Sequence, residues 1–326
     1  MDRSQRPHLV RSLSCVLALG LVLLGACTGS DTDEKPSPSE QTTASPEPAT
    51  PAPPPEVDAE RILADIGHLA ETIGPRHGTS EAYGEAADWV EERLTGLGYE
   101  VSRQQVDAPA GTTWGVDVPA GDSPNVIAMR PGASATDPHV VVGAHLDTIP
   151  VAPGAEDNAS GVAVMLELAR IVAESEVPVR FVAFGAEEPR GPGDSLHHFG
   201  SQQYVAALGD DERAAITAMV ALDRVGVPGP EVPICSGDSP NGTIEVRDQL
   251  AAAATDGGVP HTVCGGNTTS DYWSFDKAGI PAARLGSIPY AGYHSPQDTV
   301  EVVDPAQTGR VAAIMRGWLL GNAASP

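Results

Sequence analysis

Five side chains of the types that bind divalent cations lie between positions 145 and 294 of the sequence. They are His145 in AHLDT, Asp157 in AEDNASGVA, Glu188 in GAEEP, Asp223 in ALDRVG and His294 in GYHSPQDT. Two imidazoles and three carboxylates suit a pair of divalent metal ions. Each motif by itself has a plainer interpretation, such as a solvated loop pair, a helix N-cap or an acid on a surface turn.

The segments around these residues indicate how they could meet. Four of the five stand at or just beyond the end of a strand-like apolar run, namely VVVGAH, VRFVAFGAEE, MVALD and the loop after PAARLGSIP. Asp157 instead opens a helix-like stretch. Because ligands of open α/β sheets gather outside the carboxyl ends of the strands, we expect all five at one edge of a sheet. Acids there, such as Glu187 beside Glu188, are costly to bury unless a cation compensates them.

Asp147 stands two positions after His145 and is a candidate to orient it. Its carboxylate could accept the second N–H of the imidazole and so select the tautomer that binds a metal. An H-x-D pair by itself is weak evidence, because most such pairs lie in solvated loops.

Apolar periodicity predicts alternating strands and helices. The pattern indicates helices over 80–97, 161–174, 200–208, 244–254 and 271–278, and strands over 125–129, 138–144, 177–184 and 216–222. The last helix is marked by Asp304 as N-cap, by Pro305 and by Gln307, and its inward positions are Val311, Ile314, Met315, Trp318 and Leu319. Such alternation predicts an α/β domain with a largely parallel central sheet.

Residues 1–27 have the layout of an export signal. Arg3, Arg6 and Arg11 precede an apolar stretch from Val16 to Leu24, which is too short to span a membrane. The segment LLGAC, which ends at Cys27, resembles a bacterial lipobox, whose cysteine is lipidated and becomes the mature N-terminus. An ordinary signal peptide with a coincidental cysteine is the alternative. We therefore expect a protein anchored by lipid on the extracytoplasmic face of the bacterial cell membrane, or else a secreted one.

Residues 28–56 hold eight prolines, six acids and one lysine, a composition that predicts a disordered tether. Residues 57–326 are expected to form one domain. The formal net charge is -25 and no basic patch is present, so nucleic acid is not an expected partner. We expect a monomer.

Two of the four cysteines, Cys235 and Cys264, lie within the folded domain. An even pair in an exported chain favours one disulfide. Two free buried thiols are the alternative, because sequence gives no Cα separation with which to test the pairing.

Taken together and in this order, seven sequence blocks resemble the co-catalytic di-zinc aminopeptidases of the secreted leucyl aminopeptidase, or aminopeptidase S and Y, type. The blocks are AHLDT, EDNASGVAVMLELAR, FVAFGAEEP, GSQQY, ALDRVG, SDYWSF and YHSPQDTV. The resemblance spans roughly Thr72 to Thr299, and the His-to-Asp spacing of twelve residues with the paired Glu is specific to the family. It implies a three-layer α/β sandwich with a mixed, largely parallel sheet.

The resemblance also implies a role for each residue. Asp157 would bridge two zinc ions, and the remaining ligands would be His145, Glu188, Asp223 and His294. Glu187 would be the general base, and Tyr293 would donate a hydrogen bond to the developing oxyanion. The substrates would be peptides with a free N-terminus.

Two features depart from the family pattern. The Asp of the SD motif is commonly followed by His, whereas this chain has Tyr272, so no role is carried over to Asp271 or Tyr272. The segment PRGPGDSLHHF after Glu188 is longer than usual. Its His197 and His198 could bind a metal, but we expect a flexible loop at the substrate rim.

Two other functions fit the same residues. A glutaminyl cyclase would use a single zinc, and the intact AHLDT block argues against it. A surface binding lipoprotein of the same fold would have lost metal ligands, whereas all five are present here. Related carboxypeptidases and dipeptidases usually carry an inserted dimerisation domain, for which this sequence has no segment of sufficient size.

Overall fold

One large sheet and two small ones contain the strands of the structure, a computed structural model that describes residues 53–286 and 290–322. In chain order the strands in these ranges are β1 (Glu100–Gln104), β2 (Asp107–Ala108), β3 (Gly111–Thr113), β4 (Val116–Val118), β5 (Gly121–Asp122), β6 (Asn125–Met129), β7 (His139–His145), β8 (Val179–Phe184), β9 (Ile216–Leu222), β10 (Val232–Cys235), β11 (His261–Cys264) and β12 (Ala282–Leu285). β2 pairs with β5 and β3 pairs with β4, in both cases antiparallel. The other eight strands form the large sheet.

The large sheet is mixed and has a parallel centre. Its strand order is β1-β6-β8-β7-β9-β12-β10-β11. β8, β7, β9 and β12 are parallel to one another, whereas β6 is antiparallel to β8 and β10 is antiparallel to β12. The prediction of an α/β fold with a mixed, largely parallel sheet is confirmed.

Helices cover both faces of this sheet. In the described ranges they are α1 (Ala59–Gly67), α2 (Glu81–Gly96), α3 (Ser160–Val172), α4 (Phe199–Ala207), α5 (Asp210–Ala215), α6 (Glu245–Asp256), α7 (Tyr272–Lys277) and α8 (Pro305–Asn322). The apolar side chains of α1, α2, α3, α6 and α8 form the core on one face, and those of α4 and α7 form the core on the other. Alternation along the strands serves both cores, because Val140 and Val142 of β7 belong to the first and Val141 to the second.

The N-termini of α2 and α8, which were predicted at Ser80 and Asp304, are each capped by a side chain. The Ser80 hydroxyl accepts the backbone N–H of Tyr83, and the Asp304 carboxylate accepts that of Ala306. Gln307 does not reach back to the cap as a capping box requires, because its side-chain amide donates to the carbonyl of Glu231. The five residues predicted to face inward from α8 are all buried.

Strands at the two edges of the large sheet were not predicted from the sequence. β1 and β11 contain no buried residue, so neither shows the apolar alternation that marks a half-buried strand. Their extended conformation instead depends on backbone pairing, of β1 with β6 and of β11 with β10.

A disulfide joins Cys235 of β10 to Cys264 of β11, as the even cysteine pair favoured. The two residues are partners in the parallel register, and their Cα atoms are 4.5 Å apart.

The predicted export signal 1–27, Cys27 and most of the predicted tether 28–56 lie outside the described residues. At the end of the tether, the carbonyls of Pro54 and Pro55 accept hydrogen bonds from Arg316 of α8. No helix among the described residues has the length and apolar character needed to cross a membrane.

Candidate metal centre

The predicted metal ligands lie at the carboxyl edge of the parallel strands. His145 is the last residue of β7, Asp223 directly follows β9, and Glu188 lies a few residues beyond β8. Asp157 lies in a π-helical turn (Ala155–Ala159) that leads into α3, and His294 lies on the loop between β12 and α8. The topology therefore brings together residues that are up to 149 positions apart in the sequence (294 minus 145).

Asp157 faces both imidazoles through different oxygens. Its Oδ1 lies 3.1 Å from Nε2 of His145, and its Oδ2 lies 2.9 Å from Nε2 of His294. His145 Nε2 is also 3.7 Å from Oδ1 of Asp223, and His294 Nε2 is 3.3 Å from Oε1 of Glu188. The five side chains thus form two groups of three, with Asp157 common to both. The peptide bond between Asp157 and Asn158 is cis.

The carboxylates of this cluster are buried, and burial and neighbouring charges shift the pKa values of the side chains in it. Burial raises the pKa of Glu188 to about 7, although the adjacent His294 opposes the shift. Burial disfavours the charged form of His145, yet Glu187 and the other carboxylates raise the pKa of this imidazole well above its usual value. Negative charge therefore dominates the cluster and favours cations.

The donor set fits metal ions. Oδ2 of Asp157 and Oδ1 of Asp223 are buried and have no well-aligned hydrogen-bond partner among the described residues. In each group of three, the ligand atoms lie within 4.8 Å of one another. Imidazole nitrogen and carboxylate oxygen are ligands that zinc accepts.

Comparison with known proteins assigns the family. The model of peptidase family M28 matches residues 125–319, a range that includes all five candidate ligands. This chain belongs to peptidase family M28. Among curated M28-like relatives, leupeptin-inactivating enzyme 1 of Streptomyces exfoliatus is 30% identical over 246 residues, which are 72% of this chain and 50% of the relative. Aminopeptidase YwaD of Bacillus subtilis (strain 168) is 32% identical over 55% of this chain and 40% of the relative.

The chain therefore spans half or less of the length of these curated relatives. The chain covers a larger share of two proteins of known structure. BSAP, a zinc aminopeptidase from Bacillus subtilis, has a TM-score of 0.72 at 19% identity over 82% of this chain and 95% of that chain. An aminopeptidase from Aneurinibacillus sp. strain AM-1 has a TM-score of 0.66 at 22% identity, over 83% of this chain and 95% of that one. These likenesses show a shared fold.

In this M28 family member, Asp147 supports the centre differently from what we expected. The acceptor nearest to Nδ1 of His145 is the backbone carbonyl of Asp147, at 3.1 Å, rather than its carboxylate, which is 3.8 Å away. The carboxylate instead accepts the backbone N–H groups of Glu187 at 2.9 Å and of Glu188 at 3.2 Å. One residue thus orients a candidate ligand through its backbone and holds the paired glutamates through its side chain.

Asp298 holds the Asp157 segment in a similar way, and sequence analysis did not identify it. Its buried carboxylate accepts the backbone N–H of Glu156 at 2.9 Å and that of Asp157 at 3.1 Å. The QDT part of the YHSPQDTV block was the available signal, because it contains this residue.

Two arginines lie beside Asp223. Nε of Arg224 is 3.2 Å from Oδ1 of Asp223, an ion pair between neighbours in the sequence. Arg284 of β12 is fully buried and donates to the backbone carbonyl of Asp223 at 3.0 Å. The ion pair is compatible with a ligand role, because Oδ1 of Asp223 also faces His145.

A cleft of about 110 Å³ opens over the cluster. Tyr293 lines it, and its ring stacks on His294 with centroids 3.7 Å apart. Burial raises the pKa of the Tyr293 hydroxyl, so the phenol stays protonated at neutral pH.

Trp114 lies at the tip of the β3–β4 hairpin and is 59% exposed. Its ring packs edge to face with that of His294, with the ring centroids 4.4 Å apart. Trp114 was not identified from the sequence, because Trp-Gly is not one of the residue pairs, such as Asn-Gly or Asp-Gly, that mark a hairpin.

The expectation of a flexible rim loop at His197 and His198 is wrong for His198. This residue is 1% exposed, and its Nε2 lies 3.2 Å from Oε1 of Glu187. Asp271 is also buried nearby, and burial together with the charge of Glu187 raises the pKa of its carboxyl to about 7. Both residues therefore belong to the surroundings of Glu187.

Proposed function

We propose that this protein is an exported, zinc-dependent aminopeptidase that hydrolyses the N-terminal bond of peptides by a two-metal mechanism. The observation that carries this proposal is the position of Asp157, whose two oxygens face His145 at 3.1 Å and His294 at 2.9 Å. One carboxylate shared between two ligand groups is the arrangement expected of a bridged pair of cations.

The ligands divide between the two cations. His145, Asp157 and Asp223 would hold one ion, and Asp157, Glu188 and His294 would hold the other. When bound, zinc supplies Lewis acidity, which polarises a carbonyl oxygen and lowers the pKa of water.

The chain's own residues account for the proton transfers. Glu187 lines the cleft but belongs to neither ligand group. Burial opposes its negative charge, yet His197 and His145 hold the pKa of Glu187 well below its usual range, so its side chain is an ionised carboxylate at neutral pH. We propose that Glu187 takes a proton from the attacking water and passes it to the leaving amine. Tyr293, still protonated, donates its O–H to the oxyanion.

We further propose that the enzyme acts outside the cytoplasmic membrane and is anchored there through lipidated Cys27. The lipobox-like segment LLGAC supports this location. So does the name of a relative that is 34% identical over 50% of this chain, the probable lipoprotein aminopeptidase LpqL of Mycobacterium tuberculosis (strain ATCC 25618 / H37Rv).

Metal analysis combined with mass spectrometry of two peptides tests the catalytic proposal. We expect two zinc ions per chain and the loss of a whole residue from a Leu-initiated peptide. One zinc, with loss of ammonia from a Gln-initiated peptide alone, would establish a cyclase instead. A protein that changes neither peptide would favour a surface binding lipoprotein over an enzyme.

A blocked substrate tests the requirement for a free N-terminus. Acetylation removes the ammonium charge of Leu-nitroanilide and adds bulk beside the scissile carbonyl. We expect kcat/KM to fall by at least about 100-fold, because small misplacements at a reacting centre have effects of that size. Equal cleavage of free and acetylated substrates would contradict an aminopeptidase.

A further inference from the structure

The segment between Glu188 and α4 returns to the catalytic cleft at Glu187. The backbone N–H of His198 donates to the carbonyl of Glu187 at 2.8 Å, and that of Phe199 donates to Ala186 at 2.9 Å. This closure places the His198 imidazole against the Glu187 side chain, with Nε2 3.2 Å from Oε1.

We propose that His198 is a positioning residue, which holds the Glu187 carboxylate by donating its Nε2–H to Oε1, while Asp194 faces the other ring nitrogen and fixes its orientation. The proposal rests on the proposed function, in which Glu187 is the general base. In this proposal, the long segment after Glu188 contributes to the reaction because it places His198 beside Glu187.

The surroundings of the ring leave few other roles for it. Both ring nitrogens of His198 are buried, and among the described residues neither makes a well-aligned hydrogen bond. The carboxylates within ion-pair distance are Glu187 at Nε2 and Asp194 at Nδ1, the latter 3.8 Å away. Catalytic hydrogen bonds are often long until substrate binds, so these two carboxylates are the acceptors that the ring faces.

The charges favour a donor at both nitrogens. Burial disfavours an imidazolium, but Asp194 and Glu187 outweigh it and raise the pKa of His198 to about 9. A protonated imidazole donates from Nδ1 and Nε2 together. Its charge also acts on Asp271, where it lowers the carboxyl pKa against the opposing effects of burial and of Glu187.

The segment that carries His198 is fixed at several points. Asp194 forms an ion pair with Lys277 of α7. The Gln202 side chain of α4 donates to the carbonyls of Asp194 at 2.8 Å and His197 at 2.5 Å. Lys277, Asp194, His198 and Glu187 therefore form a continuous chain from the surface to the cleft.

Metal binding by His197, His198 and Glu187 is the competing interpretation. The two rings stack, with centroids 3.8 Å apart and planes 18° from parallel. A metal ion lies in the plane of an imidazole that binds it, and nearly parallel planes at this spacing have no common point close to both nitrogens. The same stack suits donation to two oxygens of one carboxylate, because His197 Nε2 lies 3.5 Å from Oε2 of Glu187.

Steady-state kinetics of three zinc-loaded variants tests the proposal. His198→Leu removes the donor, His198→Gln retains a side-chain N–H, and His139→Gln changes a buried histidine at the start of β7, remote from the cleft. We expect His198→Leu to lower kcat by about 10- to 100-fold, with KM and bound zinc unchanged. His198→Gln should recover much of the loss, and His139→Gln should keep full kcat. Full kcat in His198→Leu, or loss of zinc from it, would overturn the proposal.

Nitrogen NMR of the imidazoles provides a readout that does not depend on turnover. In the zinc-loaded protein we expect a protonated Nε2 on His198, whose signal moves in Glu187→Gln, and an Nδ1 signal that moves in Asp194→Asn. An unprotonated Nε2 would refute the contact itself. A protein that shows these shifts but cleaves no peptide would refute the proposed function and confirm the contact.

Discussion

Two adjacent glutamates at the end of β8 face different partners. The carboxylate of Glu187 contacts His197 and His198, whereas that of Glu188 lies 3.3 Å from His294. Asp147 holds the backbone N–H groups of both. These neighbours in the sequence therefore have different contact partners.

We predict that Glu187→Gln and Glu188→Gln have different effects on zinc binding and on kcat. Glu187→Gln should retain both zinc ions and lower kcat by about 10² to 10⁴, the usual range for a proton-transfer group. Glu188→Gln should lose zinc, because it removes a charged ligand. Zinc content and kcat of the two purified variants provide the measurement. Identical behaviour in both assays would show that the assigned division of roles is wrong.

At the scale of elements, α3 and β9 approach each other unusually closely beside the cluster. A Cβ atom added to Gly161 of α3 would lie 2.2 Å from the carbonyl oxygen of Leu222 in β9. The Asn158 side chain bridges the same gap by donating to Leu222 at 2.9 Å and accepting from Gly161 at 3.1 Å. This contact sets the distance between Asp157, which precedes α3, and Asp223, which follows β9.

We predict that Gly161→Ala destabilises the fold and weakens zinc binding, because α3 and β9 must separate to admit the methyl group. Gly84→Ala in α2 is the matched control, since no atom lies within 4 Å of its added Cβ. The control should raise the free energy of unfolding by about 0.5–1 kcal/mol through helix propensity. Urea unfolding and zinc titration of both variants give the comparison, and equal zinc affinity in the two would contradict the coupling.

For the whole molecule, the cluster of buried carboxylates predicts that the free energy of unfolding depends on bound cations. A ligand present at 100 times its Kd adds about 2.7 kcal/mol to the free energy of unfolding. In a domain of this size, each kcal/mol changes Tm by about 2–4 °C.

We therefore predict that chelation lowers Tm by at least about 5 °C and abolishes activity, and that added zinc restores both. Calorimetry with and without chelator provides the measurement. In the variant Glu188→Gln the chelator should have a smaller effect, because one ligand group is already incomplete. A Tm that does not respond to chelation would argue against bound cations.

The location of the whole molecule is tested at Cys27. We predict that Cys27→Ser moves the protein from the membrane fraction to the medium without changing kcat, since the predicted tether separates this residue from the domain. Fractionation followed by an activity assay would show this. Retention on the membrane would mean that another segment anchors the chain.

Local sequence patterns were sufficient to predict the central strands, the main helices and the five candidate ligands. Apolar runs such as VVVGAH are recognisable because their residues are buried on both faces of the sheet. A histidine or acid at the end of such a run stands out, since burial there demands a partner. The cap residue Asp304 was an equally local signal.

The supporting contacts were decided only by the tertiary structure. The hydrogen bond from Asp157 to Asp298 spans 141 residues, and no local pattern links the two positions. His198 was assigned to a flexible loop at the substrate rim from the general behaviour of loops, yet this loop closes on Glu187 and buries His198. Trp114 reaches the cleft through a hairpin, and Arg284 reaches Asp223 from the strand beside β9. Periodicity reports which residues are buried, whereas strand order and loop closure determine which buried polar groups meet.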